Sequence, residues 1–295
     1  METGAAVAES ASAVRATQLR QARRNENFPV ALRLLPASRR ADLVAVYDVA
    51  RTIDDIGDDP GSTPAQRLAA LDRLDAELAA LPGAGPGADP ATAAVAALAP
   101  VLRRHQLSVD PFRALVQANR LDQTHARWAS WDELRAYCRL SADPIGRIVL
   151  AVFDASTPER VAWSDQVCTA LQVLEHCQDV AEDLHDRDRV YLPADELAAA
   201  GVTADDLAPG PTPVAVRAVV RAQVDRAVGL LATGRPLVRS LRGWARVAVA
   251  GYVAGGLATA DAIRRVDHAV LAGPPRPRGR DIARHALRLA VGRRS

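Results

Sequence analysis

Along this chain apolar residues recur every three or four positions and almost never alternate with period two, a spacing that predicts helices rather than strands. Thr63-Pro64-Ala65-Gln66 and Ser130-Trp131-Asp132-Glu133 have the form of capping boxes, while Asp110-Pro111 and Thr157-Pro158 place a cap before a first-turn proline. Each of these marks a helix start. Asp143-Pro144 should kink or end the helix that begins near Trp131, because proline's ring clashes with the preceding turn. Pro209 to Pro213 and Gly234 bracket another helix, and a long one is expected from about Leu241 to Leu271, loosened by Gly251, Gly255 and Gly256. Gly83 to Pro90 reads as a loop. Beyond Gly273 a Pro- and Arg-rich linker leads to a short terminal helix, Asp281 to Val291. The expected fold class is all-α, in one helical domain, since neither an internal repeat nor a break in composition divides the chain.

Two segments combine this apolar periodicity with carboxylates. Tyr47, Arg51, Asp54 and Asp58 follow i, i+4, i+7, i+11, one face of a helix whose flanks, Val44, Val46, Val49, Ala50 and Ile53, are apolar. Gln172, Glu175, Asp179 and Asp183 repeat the arrangement at i, i+3, i+7, i+11 within the apolar stretch Val167 to Val180. An acidic run is usually solvated helix surface. Carboxylates set into apolar helices instead need a cation, because burying them uncompensated costs several kcal/mol. Two such faces opposed would form a pocket of hard oxygen ligands, suited to Mg²⁺ and a diphosphate. Arg51 is then a candidate for bidentate phosphate contact, with a salt bridge to Asp54 or Asp55 as the alternative. His176 lies one step off the second face and is read as a packed histidine; His105, His125 and His185 have no zinc-like spacing.

Composition narrows the classes. In 295 residues, 49% hydrophobic content is ample for a core, and a formal net charge of +2 gives no case for nucleic-acid binding. All the basic residues are arginine, and seven of them crowd the last twenty residues, from Arg276 to Arg294. With Ile282, Ala286, Leu287 and Ala290 as its apolar side, this tail would rest on an anionic membrane or remain solvated. The uncharged run Val247 to Ala260 is shorter than the roughly 20 residues that span a bilayer. No secretory signal is read at the amino terminus, and Cys138, Cys168 and Cys177 fit neither a disulfide framework nor a zinc site. A cytoplasmic protein, peripheral to the membrane at most, is expected. Gly83 to Gly87 follows no strand and contains Pro86, so no nicotinamide cofactor is expected.

From about Asn25 to Leu271 the sequence resembles the squalene/phytoene synthase family. Y-D-V-A-R-T-I-D-D-I-G-D, Tyr47 to Asp58, is similar to the family's first aspartate-rich motif; L-Q-V-L-E-H-C-Q-D-V-A-E-D, Leu171 to Asp183, with R-V-Y-L-P, Arg189 to Pro193, is similar to the second. Within the family, E-N-F-P-V-A at Glu26–Ala31, N-R-L-D-Q at Asn119–Gln123 and Y-C-R-L-S-A-D-P-I-G-R-I-V-L at Tyr137–Leu150 resemble the hydroxysqualene synthase branch.

The resemblance implies an isoprenoid synthase fold around a central cavity, with residues 25–272 as the synthase domain, 1–24 as an extension and 273–295 as the basic tail. It implies that Asp54, Asp58, Asp179 and Asp183 hold Mg²⁺ on a prenyl diphosphate. Asn27, Arg51 and Arg189 would contact the anion, and Tyr47 and Gln172 would line the pocket near the reacting carbons, with Phe28 and Tyr191 as further substrate contacts. Presqualene diphosphate would be the substrate, water the quencher and hydroxysqualene the product, with pathway neighbours that make the one and process the other. Rival readings are a phytoene or squalene synthase joining two prenyl diphosphates, a non-catalytic assembly factor and a phosphate-ester hydrolase. Two departures stand out: Glu175 replaces the family's usual asparagine, and His185-Asp186-Arg187-Asp188 replaces a glycine-containing turn. The glutamate can still ligate Mg²⁺. Asp122, Gln123 and Tyr137 are candidates for placing the water, or for structural hydrogen bonding.

Overall fold

A computed structural model describes residues 35–81 and 91–291, so Asn27, Phe28 and the Gly83 to Pro90 loop lie outside the described residues. The chain forms α1 (Ala37–Gly57), α2 (Pro64–Ala80), α3 (Ala93–His105), α4 (Asp110–Leu121), α5 (Trp131–Ser141), α6 (Asp143–Val152) and α7 (Pro158–Gln178). It continues with α8 (Val180–Arg187), α9 (Ala194–Ala199), α10 (Val214–Gly234), α11 (Pro236–Ser240), α12 (Gly243–Arg265) and α13 (Gly279–Val291). Among the described residues the nearest thing to a strand is one parallel bridge, Arg127 with Val190. No described helix is long and apolar enough to cross a membrane.

Local signals account for most of these boundaries. Thr63 caps α2 in a full capping box with Gln66, and the Ser130 and Thr157 side chains accept from Glu133 and Arg160 backbone N–H groups. Pro144 separates α5 from α6 as expected. Asp110 is not the cap of α4: it is the first helical residue, after Val109, and its N–H is met by Ser108 Oγ at 3.1 Å. The helix expected over Leu241 to Leu271 is shorter, because Asp267 and His268 turn left-handed (φ 49° and 60°) and end α12 at Arg265. Gly256 has a packing purpose, since a Cβ there would stand 2.6 Å from Leu171 Cδ2 on α7.

Two buried clusters divide the bundle. Val49, Ile53, Leu71, Leu98, Phe112 and Ile148 belong to the cluster beneath α1, while Val167, Leu174, Val224, Leu231, Ala254 and Ile263 belong to the one around α7, α10 and α12. The first acidic helix is thus seated on one cluster and the second on the other. Near the start of α1, buried Asp42 pairs with His105 Nε2 at 2.9 Å and with Arg104, which ties this helix to the end of α3.

The tail packs on α12. Arg265 meets Asp281 at 2.6 Å, and Asp261 receives Arg284 at 2.7 Å and His285 at 2.8 Å. Ile282 and Ala286, expected to face a membrane or solvent, pack on the second cluster instead, while Leu289 is the buried leucine and Leu287 is 64% exposed. The apolar side read from sequence is corrected accordingly, because salt bridges to α12 fix the rotation of α13.

Candidate active site

Asp54 faces outward from α1, and Asn119 Nδ2 on α4 donates to its Oδ1 at 3.2 Å. Asn119 fits there because Gly57 has no side chain: a Cβ would collide with Asn119 Oδ1 and stand 2.9 Å from its Cγ. Gln123 Nε2 donates to the carbonyls of Gly57 (3.0 Å) and Asn119 (2.9 Å), and Arg67 Nε donates to Gln123 Oε1 at 2.7 Å. The N-R-L-D-Q stretch is therefore an anchor for the end of the first acidic helix. Arg51 Nε lies 2.8 Å from Asp55 Oδ1, the helix-surface salt bridge that the spacing allowed. Tyr47, one turn earlier, has a buried hydroxyl.

The second acidic face is not one unbroken helix. Helix α7 ends at Gln178, Asp179 takes φ −104°, ψ 14°, and α8 begins at Val180. The bonds from Asp179 N–H to Glu175 O (3.1 Å) and from Asp183 N–H to Asp179 O (2.8 Å) carry the turn through the break. The helical order of Glu175, Asp179 and Asp183 survives with a bend at its centre. After α8, Asp188 occupies the left-handed conformation (φ 51°) that a glycine would take most readily, with Arg127 Nη2 on its carboxylate at 2.7 Å. Aspartate tolerates this geometry, which explains how the turn forms without glycine.

Two arginines join the acidic helices. Arg189 Nη1 lies 2.9 Å from Asp58 Oδ1, and its Nε donates to the Asp122 carbonyl at 3.2 Å. Arg187 Nε lies 3.5 Å from Asp58 Oδ2 while its Nη1 lies 3.3 Å from Asp183 Oδ1. Asp58 and Asp183 thus flank a single guanidinium, so the two motifs face each other.

Charge is poorly compensated there. Asp54 is reached by solvent yet enclosed by protein, and this enclosure pushes its carboxyl up to about 7 against the Asn119 bond, with the Asp58 charge adding to the rise. Burial likewise pushes Asp183 up to about 7, opposed by Arg187 and reinforced by Asp179, and Asp179 is itself raised by burial and by Glu182. Among the described residues no three His, Cys, Asp or Glu side chains form a cage for an ion. The donors are nonetheless hard oxygens in need of positive charge. They fit a divalent cation held by a few carboxylates, with water and phosphate completing the shell.

Beside the acids stands an aromatic wall. Tyr137 donates to Asp122 Oδ2 at 2.7 Å and Tyr191 to Oδ1 at 3.0 Å. The Tyr191 ring stacks on His176 with centroids 3.8 Å apart, and Trp128 lies 4.5 Å from Tyr137. Burial pushes His176 down to about 3, so it is neutral; its Nε2 is 3.3 Å from Gln172 Nε2. His176 is the packed residue expected. Each oxygen of Asp122 already takes a hydroxyl, and Gln123 is spent on backbone and Arg67, so both have structural hydrogen-bonding roles. Sequence reasoning missed Arg187, which lies in the stretch that departs from the family pattern, and the partnership of Asn119 with Asp54.

An all-helical bundle with two opposed acidic helices defines an isoprenoid synthase fold. The chain belongs to the squalene/phytoene synthase family, whose model matches residues 21–282. Enzymes of this family process prenyl diphosphates and generally use a divalent metal. The chain is 37% identical over 229 residues to a hydroxysqualene synthase of Rhodopseudomonas palustris, covering 77% of this chain and 76% of the relative. It is 32% identical over 218 residues to a phytoene synthase of Mycobacterium tuberculosis, covering 73% and 70%. Among solved structures, the squalene synthase HpnC of Alicyclobacillus acidocaldarius aligns with a TM-score of 0.75 at 36% identity, over 85% of this chain and 92% of that one. A ligand-bound dehydrosqualene synthase aligns at 0.79 with 19% identity, over 90% and 91%, a likeness of fold.

Proposed function

We propose that this chain converts presqualene diphosphate and water into hydroxysqualene and diphosphate, with Mg²⁺ as its metal. The observation that carries the reading is the juxtaposition of Asp58 and Asp183 across one guanidinium, which brings both acidic motifs to one site. The identity to hydroxysqualene synthases, 35–37% against 31–32% for the phytoene synthases, favours this branch.

Asp54, Asp58, Glu175, Asp179 and Asp183 would hold Mg²⁺, which when bound supplies Lewis-acid neutralisation of the leaving diphosphate. Arg51 and Arg189 would bind the diphosphate, together with Asn27 of the amino-terminal segment. The C–O bond to diphosphate breaks with its electron pair on the leaving oxygen, water oxygen bonds to the rearranged carbon cation, and one proton is released. Tyr47, Gln172, Tyr191 and Phe28 would line the space around the hydrocarbon and keep other nucleophiles from the cation. Residues 25–272 make up the synthase and 1–24 an extension, in a cytoplasmic protein touching the membrane only peripherally, through the basic 273–295 tail. Its neighbours in the reaction sequence supply presqualene diphosphate and consume hydroxysqualene.

Incubating the purified chain with Mg²⁺ and presqualene diphosphate, then identifying products by mass spectrometry, tests the reading. Hydroxysqualene and diphosphate in equal amounts are expected. Untouched presqualene diphosphate, with two farnesyl or geranylgeranyl units joined instead, would overturn it.

A further inference from the structure

Arg189 and Arg187 both reach the acids, but they are held differently. Arg189 is buried, is 2.9 Å from Asp58 and is fixed by the Asp122 carbonyl. The Arg187 side chain is 33% exposed, and its contacts, 3.5 Å to Asp58 and 3.3 Å to Asp183, are longer than the 2.7–2.9 Å of a strong charge-assisted hydrogen bond. It is the looser guanidinium, and the one in ion-pair contact with both acidic helices. Its charge also lowers Asp179 and Asp183 against their burial. Around it stand Asp58, Asp179, Glu182 and Asp183 as anions, with Arg189 and, near Asp179, Arg276 as the other cations.

We propose that Arg187 is the resident counter-ion of Asp58 and Asp183, and that it couples divalent-ion binding to the arrival of a diphosphate. The proposal rests on the reading of these carboxylates as ion ligands. A cation entering alone meets oxygens that Arg187 already pairs in part, and it repels the guanidinium. When a diphosphate arrives, the Arg187 charge gains a new anionic partner, and Asp183 and Oδ2 of Asp58 are freed while Arg189 stays on Asp58 Oδ1. Ion and diphosphate then strengthen each other's binding, and by linkage the effect is mutual.

The test is calorimetric titration of the full-length chain with Mg²⁺, with and without inorganic pyrophosphate, after subtraction of Mg²⁺–pyrophosphate association measured without protein. In the unaltered chain pyrophosphate should tighten Mg²⁺ binding. Arg187→Gln should bind Mg²⁺ alone about tenfold more tightly and lose most of the coupling, a change within the usual range for linked sites. Arg187→Lys keeps the charge and should keep the coupling, which guards against a Gln variant that folds poorly. Unchanged Mg²⁺ affinity and coupling in Arg187→Gln, or equal loss in Arg187→Lys, would overturn the proposal. These measurements do not depend on product identity: failure of Mg²⁺ and pyrophosphate to bind at all would strike at the site itself, whereas uncoupled binding strikes only at Arg187.

Discussion

Arg189 Nη1 lies 2.9 Å from Asp58 Oδ1, although the two residues are 131 positions apart in the chain. This bond and the looser Arg187 bridge place the end of the first acidic helix against the turn that follows the second. The anchor on the other side is Gln123, which grips the Gly57 carbonyl and so fixes where Asp58 begins. The proposed chemistry depends on this junction.

Gly57→Ala should damage that junction without touching a carboxylate. The new methyl would meet Asn119 Oδ1 and Cγ, so Asn119 must leave Asp54 or α4 must shift. A loss of about 1–3 kcal/mol in urea unfolding is expected, as for other overpacked sites. Activity should fall further than stability alone explains, measured as kcat/KM at a temperature where the variant remains folded.

Asp54→Ala and Asp179→Ala each remove an oxygen donor from one motif. Turnover of presqualene diphosphate should fall by about two orders of magnitude or more, in line with the loss of a single electrostatic stabiliser in other enzymes. An assembly factor would keep its biological activity through both substitutions. Complementation of a strain lacking the enzyme, alongside the assay in vitro, separates the two.

Asp54 and Asp183 are raised from 3.8 to about 7, so the folded chain binds protons more tightly than the unfolded one. Their effect is to make stability without divalent ion fall as pH rises from about 4 to 7, and Asp54→Asn should flatten that decline. Activity has the opposite sign. At fixed subsaturating Mg²⁺ it should rise through about pH 7 as the carboxyls ionise, and more Mg²⁺ should move the rise to lower pH. A thermal-unfolding series and a pH–rate profile at two Mg²⁺ concentrations read both.

Asp42 lies outside the site, buried against His105 and Arg104. Asp42→Ala should cost about 1–3 kcal/mol of stability, because it leaves the buried Nε2 of His105 without its hydrogen-bond partner. KM for presqualene diphosphate should not change. A shifted urea midpoint with unaltered KM is the expected result.

Tyr137→Phe and Tyr191→Phe each take one hydroxyl from Asp122. A loss of about 1–2 kcal/mol is expected for each, the cost of leaving a buried acceptor unmet. The product should remain hydroxysqualene. A shift to another product would give Asp122 and its tyrosines a role in placing the water.

By itself the sequence determined the elements and the chemistry that they carry. The caps at Thr63, Ser130 and Thr157, the break at Pro144 and the helical spacing of the two acidic faces are local properties, settled by steric limits and hydrogen bonding within a few residues. The tertiary structure decided what depends on partners distant in the chain. It placed Asn119 on Asp54, turned Leu289 rather than Leu287 inward on α13, and bent the second acidic face at Asp179. It also brought Asp58 to Arg187, whose pairing with Asp183 four residues earlier is local but whose reach to the first acidic helix is not. A helix pattern fixes which residues share a face, but the rotation of that face and the charge that meets it are set by packing against other helices.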